Sequence, residues 1–375
     1  MNETHFHATL TQIEERARRL LGGMPLRVDG MDALAESCRR DLDSVIYSAQ
    51  QLRDDAQFKH EAVQTERLQL LRNLFGQLDV LESTAVAALQ RINDEDRRMT
   101  RTVQALADES HFPLPAPVVS CTSQDYFNID TRLRLVQMPL TDGRHLLHLP
   151  DLAHEMAHIL LADLNNPKSS PFKQAMREVK ARVIKHFDAR SKNLALGRSP
   201  TALVARIPVW WKSWMDAWVV EFFCDLFGVF SVGPAYGWAH LHLCMRQPTD
   251  SYHYPTFNTT SHPANAARTA VIIDGLRLAG FNSAADELAQ AWQQLLRITG
   301  EKADSDFAEC YPAELMRSTA EFGFKGYRDI GCRVITTASM GTCQRLLNEA
   351  WNQFRAQPEN YPAWETVAMG KFYGQ

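Results

Sequence analysis

His154 and His158 stand four residues apart in the run His154-Glu155-Met156-Ala157-His158. On a helix, residues at that spacing project from one face, one turn from each other. Two imidazoles so placed can chelate a single zinc ion, which favours nitrogen donors in a tetrahedral arrangement. Glu155, beside the first of them, can reach a water on that ion and act as its base. The surroundings suit a helix: Pro150-Asp151 forms a start, Leu152, Met156, Ile159 and Leu160 supply a buried face, and Asn165-Asn166-Pro167 supplies a stop. Two ligands do not complete a catalytic zinc site. A third protein ligand is expected, with the fourth position left to water.

The segment from Trp218 to Gly228 offers the third ligand in Glu221, which sits among bulky apolar residues on a helical pattern. A buried carboxylate is costly unless it is paired or bound to metal, and metal ligation is the reading preferred here over a salt bridge to an arginine. Asp225, one turn further along the same face, can accept the free ring N–H of a ligating histidine. A third element follows at Ser261-His262-Pro263-Ala264-Asn265-Ala266-Ala267-Arg268. Pro263 suits the first position of a helix, which puts His262 at its cap, near the positive end of the helix dipole. From there His262 can donate a hydrogen bond to an oxyanion, and Arg268 can brace Glu221, Asp225 or the backbone. Tyr252, His253 and Tyr254, on the loop before this element, are expected to pack or to touch substrate, with one of them contacting the transition state.

The order H-E-x-x-H, E-x-x-x-D and H-P-x-x-x-x-R resembles the M48 group of gluzincin metallopeptidases. His154, Glu155 and His158 match the first motif, Glu221 and Asp225 the second, and His262, Pro263 and Arg268 the third. The matching span runs from 154 to 268, about a third of the chain. The resemblance implies His154, His158 and Glu221 as ligands of one zinc ion, Glu155 as general base and His262 near the oxyanion. It extends to the chemistry and not to the substrates, since the best-known relatives are membrane-embedded and this chain has no convincing spanning helix.

Composition sets the outer limits. With 375 residues, 45% of them hydrophobic and 22% charged, the chain can bury a substantial core without disulfides. A net charge of -4 lacks the basic face of a general nucleic-acid binder. Seven cysteines, none in a C-x-x-C pair, read as reduced thiols of a cytosolic protein and, at 310, 332 and 343, as small buried hydrophobes. The first twenty residues carry charge throughout, unlike a signal peptide. Trp218 to Met245 is rich in Val, Phe, Leu and Trp, but Glu221, Asp225 and Gly233-Pro234 make it a buried helix followed by a turn.

The elements that must position these residues are mainly helical, with one small β-sheet: an α+β fold around a gluzincin-like core. Residues 1–112 read as an N-terminal helical bundle or hairpin, with an apolar stripe at Leu68, Leu71, Phe75 and Leu78 continued by Ala85, Leu89 and Ile92. Phe112-Pro113-Leu114-Pro115-Ala116-Pro117 breaks the pattern. Residues 113–300 read as the metallopeptidase domain and 301–375 as a helical region packed on it. Strand-like runs at Val118–Cys121, Leu133–Met138 and His145–Leu149 suggest a small antiparallel sheet, and the second or third run could align an extended substrate by edge addition. The clustered Trp210, Trp211, Trp214 and Trp218 read as core.

The reaction expected is hydrolysis of a protein or peptide substrate, with Glu155 taking the proton of the attacking water and passing it to the leaving amine. Two further readings stand beside it: a non-catalytic scaffold or regulatory protein that retains a structural zinc site, and a helical interaction module whose partner binds residues 1–110. An intracellular peptidase needs gating, which is expected from the N-terminal bundle or from residues 165–210.

Overall fold

The structure, a computed structural model, describes residues 3–25, 27–54, 63–123, 126–163, 166–196, 201–246 and 250–374. It is mainly helical with one three-stranded sheet. Helices α1 (Glu3–Gly23), α2 (Asp32–Asp54) and α3 (Gln64–Leu81) lie first; α3 runs through a π-turn at Glu82–Val86 into α4 (Ala87–Arg91). The buried stripe of α3 is Leu71, Leu74, Leu78 and Leu81, while Leu68 and Phe75 sit at its margin. These helices close an apolar core of their own that ends at Ile92. Asn93 then caps α5 (Asp94–Ser110) in a reciprocal capping box with Asp96. Met99, Val103, Leu106 and Ala107 of α5 pack into a second, larger core, so the change of core falls at Asn93, ahead of the proline-rich run.

The sheet stands between the two cores. Strands β1 (Val118–Ser120), β2 (Asn128–Asp130) and β3 (Leu135–Gln137) are ordered β1-β3-β2. Successive strand residues face opposite sides: Val118 and Leu135 join the N-terminal core, Val119 and Val136 the larger one. The expected sheet is corrected in two respects. It is mixed, because β1 pairs with β3 in parallel and only β2 with β3 is antiparallel. The run His145–Leu149 is not a strand. It coils through turns, with His148 N–H bonded to the His145 carbonyl, and the Leu146 N–H is taken by Glu365 from near the other end of the chain at 2.6 Å. The strand within Leu133–Met138 is shorter than its alternation suggests, because Arg134 adopts a left-handed φ of 51° in the β2–β3 turn.

The larger core collects the remaining helices: α6 (Asp151–Ala162), α7 (Ser170–Leu196), α8 (Thr201–Ser213), α9 (Val219–Val232), α10 (Pro234–Arg246), α11 (Asn265–Leu278), α12 (Asn282–Thr299), α13 (Ser305–Cys310), α14 (Ala313–Asp329), α15 (Thr342–Ala356) and α16 (Tyr361–Tyr373). Helix α9 is apolar nearly all round and buried on all sides, as the interior helix of a large core must be. It ends at Gly233, whose φ of 72° reverses the chain into α10. No helix among the described residues is long and apolar enough to cross a membrane.

Helices α9 and α10 approach closely because Gly228 lies under the ring of Tyr236. A Cβ at Gly228 would come within 2.6 Å of that ring. Gly228→Ala is therefore expected to lower stability by about 1–3 kcal/mol, the usual cost of overpacking, read as a reduced midpoint in urea unfolding. An unchanged midpoint would mean that α10 shifts freely against α9.

Candidate metal centre

Helices α6 and α9 carry the chemistry and pack against each other. His154 and His158 turn the same face of α6 towards α9, and their Nε2 atoms approach to 3.3 Å. Glu221 meets them from α9: Oε2 lies 3.4 Å from His154 Nε2, and Oε1 lies 3.9 Å from His158 Nε2. Glu221 is 8% exposed, and its Oε2 is buried with no hydrogen bond among the described residues. Donors bound tetrahedrally at about 2.0–2.1 Å from zinc stand roughly 3.3–3.5 Å from one another. The His154–His158 and His154–Glu221 separations are close to that, while the 3.9 Å approach to His158 is longer and is made by the other carboxylate oxygen; a small turn of the Glu221 carboxylate would let the three side chains hold a divalent ion.

Behind the histidines is a charged network. His154 Nδ1 is 3.0 Å from Asp225 Oδ1. Arg268 donates to both oxygens of Asp225, at 2.9 and 2.6 Å, and the Tyr236 hydroxyl donates to Oδ1 at 2.6 Å. Arg268 thus pairs with Asp225, and Glu221 has no arginine. A carboxylate on Nδ1 fixes the ring so that Nε2 points at the ion position. Burial opposes charge on Asp225, yet the guanidinium of Arg268 holds its carboxyl well below the usual range. Burial likewise opposes charge on His154, but the hydrogen bond to Asp225 and the nearby Glu221 carboxylate outweigh it and raise the ring to about 10. The carboxylates around it favour positive charge at this place. Burial, with the charge on His154, pushes His158 down to about 4, which leaves a neutral imidazole. For Glu221 burial raises the pKa, but the close approach and charge of His154 bring it to about 2.

Glu155 projects into an adjoining cleft of about 390 Å³. Burial raises its carboxyl to about 7, and no hydrogen bond or ion pair commits it among the described residues. His262 also lines the cleft, with Nε2 3.6 Å from Glu221 Oε2 and Nδ1 2.9 Å from the Ser261 hydroxyl. It is not a helix cap, which is a correction. Helix α11 begins at Asn265 after Ala264, so His262 lies on the preceding loop. That loop is fixed from behind by two indole N–H groups: Trp210 bonds the Pro255 carbonyl at 2.8 Å and Trp218 the Thr260 carbonyl at 3.1 Å. Trp210, Trp214 and Trp218 are buried, whereas Trp211 is partly exposed.

Of the three loop residues before His262, His253 lines the cleft. Tyr252 instead packs edge-on against Phe307, and the Tyr254 hydroxyl donates to Asp304 at 2.8 Å, so neither is among the cleft residues. No described residue of 1–110 or 165–210 lines the cleft. Sequence reasoning missed four residues: Tyr236, the cleft residues Tyr126 and Asp151, which hydrogen-bond to each other, and Cys224. The buried cluster His154, His158 and Cys224 could bind a metal, since one donor atom from each lies within 4.8 Å of the others. Cys224 follows Glu221 by three residues, a helical spacing that was legible; the Tyr236 contact depends on tertiary packing alone. Comparison with family models, curated proteins and solved structures finds no match to this chain.

Arg268 is the counter-charge of a fully buried carboxylate. Arg268→Met should cost about 3–5 kcal/mol by leaving Asp225 uncompensated, seen as a marked drop in the thermal midpoint. Stability close to wild type would show that another group neutralises Asp225.

Proposed function

We propose that the chain is a zinc-dependent peptidase of gluzincin type, related in its site to the M48 group. The convergence of His154, His158 and Glu221 within 3.3–3.9 Å of one another, beside an uncommitted glutamate, carries this reading. One ion would be held by those three side chains. Zinc in such a site supplies Lewis acidity towards a water and a carbonyl oxygen.

The rest is done by the chain. Asp225 holds the Nδ1 proton of His154 and so fixes the ring, while Arg268 and Tyr236 fix Asp225. Glu155, with a pKa near neutrality, takes a proton from water in the cleft and returns it to the leaving amine. His262 donates from Nε2 to the oxygen on which negative charge develops. An extended peptide cannot add to β3, which is paired on both sides, nor to the turns of 145–149. It can add to the free edge of β2, whose neighbour Phe127 lines the cleft.

One observation favours the non-catalytic alternative. His262 Nε2 is close enough to Glu221 to serve as a fourth protein ligand, and a site closed in that way has no position for water. Variants separate the two readings. Glu155→Gln should keep one zinc per chain by metal analysis and lose peptide hydrolysis by about 10²–10⁴-fold. Glu221→Ala should lose the metal. His262→Ala should keep zinc and lower kcat by about 10²–10³-fold. Zinc lost from His262→Ala, with no hydrolysis by the wild type of any peptide in a mixed library, would establish the structural centre instead.

A further inference from the structure

Cys224 is buried completely and sits on α9 one turn after Glu221. At 100° per residue, positions three apart lie about 60° from each other around a helix. Glu221, Cys224 and Asp225 therefore share the face of α9 that looks onto α6. Asp225 takes the outer nitrogen of His154, and Glu221 approaches the two Nε2 atoms. The Cys224 sulfur lies within 4.8 Å of a ring nitrogen of each histidine. Cys224 is fully buried, whereas the His262 side chain is 63% exposed.

Charge balance points the same way. A divalent cation taken out of water needs nearby anions. Asp225 is already neutralised by Arg268. Glu221 supplies one negative charge, and its Oε2 has no hydrogen bond among the described residues. A thiolate supplies the second. Zinc accepts sulfur as readily as nitrogen, at about 2.3 Å, and a thiol gives up its proton to solvent as it ligates.

We propose that Cys224 is a fourth ligand and that the resting centre is closed by His154, His158, Glu221 and the Cys224 thiolate. This rests on the peptidase reading and adds regulation to it. With a metal held there, the Cys224 sulfur would occupy the position that hydrolysis leaves to water, and turnover would require that position to be freed. The chain is then a latent peptidase whose basal turnover is held down by its own cysteine.

Cobalt(II) substitution of the full chain tests this independently of activity. Thiolate ligation gives cobalt an intense near-ultraviolet sulfur-to-metal charge-transfer band, which nitrogen and oxygen ligands do not give. Wild type loaded with one cobalt per chain should show the band. Cys224→Ala should still take up one cobalt, without the band, and its zinc form should hydrolyse peptides several-fold faster than wild type. Cobalt bound to wild type with no band overturns the proposal and leaves the peptidase reading intact. A band that survives in Cys224→Ala also overturns it, by assigning the sulfur to another cysteine. Failure of wild type to bind cobalt or zinc at all overturns both. The wild-type spectrum decides the point even where the variant folds poorly.

Discussion

A buried carboxylate, Asp225, sits at the junction of four helices, and the candidate centre is arranged around keeping it charged. Its solvation is replaced by two N–H groups of Arg268 from α11, the hydroxyl of Tyr236 from α10 and a ring nitrogen of His154 from α6. Each partner arrives from a different element, so none can be withdrawn without stranding the charge in the interior. The network therefore locks α6, α9, α10 and α11 in one relative position and sets the orientation of His154 as a by-product of stability. Gly228 belongs to the same arrangement, since its missing side chain lets the Tyr236 ring reach the carboxylate.

A second set of constraints acts on the cleft side. The loop carrying His253 and His262 has no regular structure of its own, and its backbone is held by indoles from the helical stretch before α9. The same stretch continues into Glu221 and Asp225 through a π-turn at Trp214–Trp218. Its Trp210 and Trp218 place the loop, and its continuation places the carboxylates. Lengthening the turn at Trp214 changes the rotational phase between the two functions, as a π-turn does when one residue is added to a helix.

Legibility of the site in the sequence followed the range of the interactions involved. Spacings within one helix carried through: His154 with His158, and Glu221 with Asp225, are set by α-helical geometry that any surrounding fold must respect. Apolar surroundings of Glu221 were also readable, because a carboxylate in such a run needs a partner. What was misread depends on distant chain. His262 does not cap a helix, since the Ala264 N–H is claimed by the hydroxyl of Tyr311 and the loop by the indoles. Leu146 cannot join a ladder because Glu365 takes its N–H. Arg134 turns left-handed where alternation reads as strand, and the parallel pairing of β1 with β3 has no signature in runs of three residues. Among the three suspected loop residues, the tyrosines found partners in Phe307 and Asp304, which follow some fifty residues later.

The division into two cores restricts how the N-terminal helices can act on the centre. Their apolar residues close on one another, and their share of the sheet is the face that carries Val118, Leu133 and Leu135. The opposite face, with Val119 and Val136, belongs to the core that holds α6 and α9. No described residue of the first hundred lines the cleft. Besides the chain connection at Asn93, the two cores meet at the three strands. Of these, β2 is the edge that pairs only with β3, and it leads back through Phe127 and Tyr126 into the cleft wall. Tyr126 in turn bonds Asp151, the first residue of α6, one turn before His154 and Glu155. The start of the helix that bears both histidines and the base is thus tied to the edge of a sheet whose other face belongs to the N-terminal core.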